Sequence, residues 1–181
     1  MENQRVRITK KMLTDSLLYW MQQKPIEHIT VKEICEHAEL NRSTFYLHYT
    51  DQYDLLTAVE NIVISDTMEC FASVSPDAST KQFIVTFLSH VQANQVLFQT
   101  TLCQPNRESF RKRFISESLV YLREGIGLTL GSEKEQYTLT FLLRGSLAII
   151  QQWIESSFNM SIDSLADLIY RLCDNAIKGK L

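Results

Sequence analysis

Apolar residues recur along this chain at intervals of three and four, the period of a helix that buries one side. In residues 5–23, Ile8, Met12, Leu13, Leu17, Trp20 and Met21 form one such stripe, and Pro25 closes it. Thr30 stands directly before Val31, with Glu33 three residues on. That is the capping-box arrangement, in which a hydroxyl and a carboxylate satisfy the first free N–H groups of a helix. The helix predicted there is short, Val31 to His37, with Val31, Ile34 and Ala38 on one side, and it breaks at Glu39-Leu40. Asn41 is placed to cap a second short helix over about 42–47, with Phe45 and Tyr49 turned inward.

From Asp51 the pattern lengthens into one helix over about 51–71, with Leu55, Leu56, Val59, Ile62 and Val63 on its inner face. Residues 73–80, SVSPDAST, have the composition of a linker. Further helices are predicted over about 80–92, 94–102 and 107–124, and Gly125, Gly127 and Gly131 mark the next break. Residues 135–156 are apolar on more than one face, and the last helix carries a wide stripe that includes Ile162, Leu165, Ile169 and Leu172. Faces that broad need cover from two sides.

Composition agrees with an all-α fold. Five Gly and three Pro in 181 residues are too few for the many tight turns of a sandwich or barrel. The expected organisation is an N-terminal three-helix unit with its connecting long helix, residues 1–72, followed by a helical domain over 73–181. No apolar stretch reaches the length of a membrane span, and MENQRVRITKK lacks the apolar core of a signal peptide. A cytoplasmic protein is expected, with no membrane partner. Cys35, Cys70, Cys103 and Cys173 are scattered without a CxxC pair, so free thiols are expected and a metal site is not. No nucleophile, base and oxyanion donors are placed by a motif. Neither catalysis nor a cofactor is expected.

The net charge of −3 hides an uneven distribution. The first 50 residues hold seven basic and six acidic side chains, and the rest of the chain is at −4. Any anion-binding face is therefore local and N-terminal. TVKEICEHAELNRSTFYLHY, residues 30–49, reads as two short helices joined by a tight turn, a helix-turn-helix. Its second helix offers the short and flexible donors that base edges in a major groove require. Arg42, Ser43 and Thr44 are the expected base-contacting residues. Thr30, Tyr46 and His48 are expected at phosphates, with Arg5 and Lys10 adding contacts from a basic arm.

On these residues the chain resembles TetR-type transcriptional regulators. The likeness covers residues 5–65: T-V-x-x-I-x-x-x-A, then S-T-F-Y-x-H-Y, then D-x-x-D-L-L. Two positions depart from the family pattern. Glu39 stands where the turn usually has Gly, which implies a positive φ at some cost. Gln52 replaces a Lys, which implies one weaker phosphate contact. The segment from Phe141 to Trp153 and the last helix resemble the C-terminal domain of a Gram-positive subgroup.

The resemblance implies a homodimer on a palindromic double-stranded DNA operator, with the last two helices of each subunit forming a four-helix bundle. Phe141, Ile149, Leu165, Ile169 and Leu172 are the interface residues expected. It also implies a repressor released by a small-molecule effector. The alternative is a coregulator or adaptor whose C-terminal domain answers to a protein partner. Phe83, Phe87, Phe98, Phe110, Phe114, Tyr121 and Trp153 are the candidates for an effector pocket, or for plain core.

Overall fold

A computed structural model of the chain describes residues 4–75, 77–124 and 132–177. Every regular element among them is helical, as expected. Gly125, Gly127 and Gly131 lie outside the described residues. The chain divides into two units, Met1–Val63 and Ile64–Leu181.

In the first unit, α1 (Gln4–Met21) buries Leu13, Ser16, Leu17 and Met21. Ile8 and Met12, expected on that stripe, are exposed. At 100° per residue they sit roughly 140° or more round the helix from Leu17. Ser16 takes an inner place instead, because its hydroxyl donates to the Ile34 carbonyl at 2.8 Å. A 3-10 turn, Ile26–His28, follows Pro25 and buries Ile26. The capping box of Thr30 and Glu33 then opens α2 (Val31–His37).

The turn after α2 is a Schellman motif. Leu40 N–H donates to the Cys35 carbonyl at 2.9 Å and Glu39 N–H to Glu36 at 3.3 Å. Closing it puts Glu39 at φ 54°, the left-handed region that favours glycine. α3 (Arg42–Tyr46) starts at Asn41, whose side chain makes no capping bond.

α4 (Gln52–Ala72) is capped by Asp51, whose Oδ1 accepts from the N–H groups of Tyr53 and Asp54, each at 2.8 Å. Asp54 returns the favour, accepting from Thr50 N–H at 2.9 Å. The two carboxylates of D-x-x-D thus fix the start of α4 and the residue before its cap. Leu55, Leu56, Val59 and Val63 are buried, while Ile62 falls at the margin of that face and is exposed. With Leu13, Leu17, Ile34 and Phe45 they make one core, each large side chain contributing about 1.5–3 kcal/mol.

The division between units falls inside α4, not at residues 73–80. The last turns of α4 belong with the second unit because Phe71 packs on Phe83, Phe87 and Tyr121, with ring centroids 4.7, 5.2 and 5.5 Å away. That unit continues with α5 (Thr80–Ala93), α6 (Gln95–Leu102), α7 (Glu108–Glu124), α8 (Glu133–Glu155) and α9 (Ile162–Ile177). Capping boxes at Ser79/Gln82 and Ser132/Glu135 open α5 and α8. α6 is stopped by side chains on its last carbonyl. Arg111 and Gln151 donate to Leu102 O at 2.9 and 2.6 Å. α8 ends in a second Schellman motif, with Ser157 at φ 56° and Phe158 N–H donating to the Trp153 carbonyl at 2.9 Å.

α9 is strongly amphipathic, and its buried residues Leu165, Ala166 and Ile169 pack within its own chain, with α5 as the main neighbour. An ion pair, Lys81 Nζ to Asp167 Oδ1 at 2.7 Å, fastens the two helices. This corrects part of the expected interface: Leu165 is 2% exposed and Ile169 3%, so neither has surface left for a second subunit. Ile149 is half-buried. Phe141, 65% exposed, and Leu172, 39% exposed, do present apolar surface, joined by Tyr137 on α8 and Leu168 on α9.

Candidate nucleic-acid interface

α3 is five residues long and is held from one side only. Phe45 is fully buried, Tyr49 nearly so, and their rings are 5.8 Å apart. At 100° per residue this turns Ser43 and Leu47 away from the anchors and leaves Arg42 and Tyr46 on the flank. Arg42, Ser43, Tyr46 and Leu47 are exposed, and Thr44 and His48 are half-buried at the margins. Thus Arg42, Ser43, Thr44 and Tyr46 are brought together on α3, with His48 in the turn that follows. Tyr46, 58% exposed, meets the Phe45 ring in a T-shaped contact with centroids 5.5 Å apart.

Leu47 was not among the expected site residues, although its wheel position opposite Phe45 places it on the outer face. An apolar side chain carries no donor or acceptor to mark it as a DNA contact in the sequence.

Thr30 behaves differently. Its N–H and its hydroxyl both donate to Glu33 Oε2, at 3.0 and 2.8 Å, and its Oγ accepts from Glu33 N–H at 3.2 Å. Its polar groups are thus engaged in the cap rather than turned to an external phosphate. Lys24 Nζ completes this corner at 2.6 Å from Glu33 Oε1 and lies 5.0 Å from the Trp20 ring centre. The ammonium hydrogen bond, then the two from Thr30, hold the Glu33 carboxyl at about 2, well below its ordinary value. Arg5 and Lys10 lie on a different helix, α1, Arg5 exposed and Lys10 half-buried. Cys35, on the buried side of α2, has its thiol pushed up by burial, which keeps it protonated and inert.

In the second unit, ring contacts connect Phe83, Phe87, Phe98, Phe110, Phe114 and Tyr121, with Phe71 as an unanticipated member. Trp153 packs elsewhere. Its ring meets Phe158 edge-on at 4.7 Å and its N–H donates to Met160 O at 2.8 Å. An open cleft of about 380 Å³ lies beside the end of α4 and is bordered by Ser73, Asp77, Gln82 and Thr86, not by the aromatic set. Among the described residues no cluster of His, Cys, Asp and Glu could hold a metal ion, and no helix is long and apolar enough to cross a membrane.

Residues 78–175, more than half of the chain, match the TetR family described as a transcriptional regulator C-terminal region. The chain belongs to the TetR-type transcriptional regulators. A TetR-type regulator from Streptococcus agalactiae 2603V has a similar fold, with a TM-score of 0.68 and 23% identity over 93% of this chain and 95% of that one. The regulator FadR of Bacillus subtilis, solved with stearoyl-CoA, superposes with a TM-score of 0.61 at 14% identity, covering 93% and 98% of the two chains. The uncharacterized HTH-type transcriptional regulator YxbF of Bacillus subtilis (strain 168) is 23% identical over 174 residues, 87% of this chain. The chain spans 43% of the length of that relative. The TetR-type assignment rests on the C-terminal match, and the N-terminal motif agrees with it.

Proposed function

We propose that this TetR-type protein is a homodimeric, sequence-specific DNA-binding repressor of the cytoplasm, released from its operator by a small-molecule effector. The observation that carries the reading is α3 itself, where Arg42, Ser43 and Tyr46 are all exposed on a helix anchored by Phe45 and Tyr49. Arg42 reads a base edge, Ser43 and Thr44 contact neighbouring bases, and Tyr46 and His48 hold phosphates. Arg5 and Lys10 add backbone contacts from α1. Dimerisation uses the apolar surface that α8 and α9 leave open, around Phe141, Leu168 and Leu172.

The effector is received by the second unit among the linked rings of Phe83, Phe87, Phe98, Phe114 and Tyr121. The stearoyl-CoA bound by Bacillus subtilis FadR supports an apolar ligand class for this fold. The experiment is a band-shift with the duplex upstream of the protein's own reading frame, with and without added long-chain acyl-CoA. A retarded band that dissolves with the ligand supports the whole reading. Binding that survives every apolar ligand but yields to a protein from the same genome supports an adaptor. No shift on any duplex refutes DNA recognition.

A further inference from the structure

Leu47 is 79% exposed, more than any other large apolar side chain among the described residues. It is the C-cap of α3 and keeps helical backbone angles, φ −72° and ψ −20°. It therefore stands one turn after Ser43, beside Tyr46, on the side of α3 opposite buried Phe45. An exposed leucine contributes nothing to the core, and scattered ones on a surface need no explanation. This one sits inside the polar group that reads DNA in the function proposed above, and the inference rests on that reading.

A polar recognition surface gains from an apolar member only where the partner presents an apolar group. Phosphates are charged. Guanine, adenine and cytosine show only donors and acceptors in the major groove. Thymine alone adds a C5-methyl group there. We propose that Leu47 is a specificity-determining residue of this protein, packing on the C5-methyl group of a thymine in the major groove. Ser43, on the same face, and Arg42, at the N-terminal end of α3, hydrogen-bond to the base edges next to it. The operator half-site therefore carries a thymine at the position under Leu47, fixed by a contact with no hydrogen bond in it.

The test uses the full chain and the tightest duplex it selects from a randomised library. Each thymine of that duplex is replaced in turn by deoxyuridine, which removes the methyl group and nothing else. At one position per half-site the wild type should bind about fourfold more weakly, the value of one methyl group's burial. Leu47→Ala should bind the thymine duplex more weakly and show no further loss with deoxyuridine at that position. Its salt dependence should match the wild type, since no charge has changed. Uniform indifference of the wild type to deoxyuridine overturns the proposal while leaving DNA reading intact. So does a Leu47→Ala variant that remains as sensitive as the wild type, which places another group on the methyl. Should Leu47→Ala fail to fold, the wild-type deoxyuridine series alone decides. A wild type that selects no sequence overturns both this proposal and the function on which it rests.

Discussion

Lys24 Nζ lies 2.6 Å from Glu33 Oε1, and the other oxygen of that carboxyl holds both the N–H and the hydroxyl of Thr30. One side chain thus ties the turn after α1 to the start of α2 and caps α2. Because the folded state holds Glu33 at about 2, against an ordinary 4.5, folding favours the ionised form. The stabilisation is whole above the ordinary value and is lost as pH falls from there toward 2. Thermal melting of wild type and Glu33→Gln from pH 7 to pH 2 checks this. The gap between the two should narrow through that window, and a constant gap would contradict it.

Glu39 and Ser157 hold the left-handed position of two Schellman turns without being glycine. An L side chain there costs about 1–2 kcal/mol, and glycine returns part of it as unfolded-state entropy. Glu39→Gly and Ser157→Gly should each raise unfolding free energy by about 0.5–1 kcal/mol in denaturant titrations. A loss in either would mean that the replaced side chain makes a compensating contact.

Ile169 and Leu172, both on α9, are in opposite situations. Ile169 is buried in its own chain, so Ile169→Glu leaves an unpaired charge in the core and should unfold the second unit, at a cost of at least about 3 kcal/mol. Leu172→Glu alters open surface and should give a folded monomer. Sedimentation equilibrium with circular dichroism separates them. A dimer that survives Leu172→Glu and Phe141→Glu together would move the interface off α8 and α9.

Effector and operator binding should be linked reciprocally. If an acyl-CoA lowers operator affinity by some factor, saturating operator must lower acyl-CoA affinity by the same factor. Titration calorimetry with and without the selected duplex measures this. Unequal factors would mean direct competition by an impurity or a second site.

Much of this was readable from residue order because it depends on local chemistry. Thr30 with Glu33 is a capping pair whose partners lie three residues apart, and it opens the first helix of the helix-turn-helix. Phe45 and Tyr49 were recognisable as anchors by their spacing. What was misjudged depended on distant neighbours. Ile8 and Met12 look like core until the rotation of α1 is known, and Ser16 looks like surface until the Ile34 carbonyl above it is seen. Leu165 and Ile169 were assigned to a partner because the cover α5 supplies, from about 80 residues earlier, leaves no trace in the spacing of α9. Leu47 could have been found by asking which residue stands opposite Phe45.

Arg42→Ala tests most directly whether α3 reads DNA. Fluorescence anisotropy should be measured on the selected duplex and on variants with one base pair changed in each half-site. Arg42→Ala should cost about 1–3 kcal/mol on the best duplex and flatten the preference at one base pair, with discrimination elsewhere kept. An Arg42→Ala protein with unchanged affinity and unchanged preference at every base pair would contradict the account.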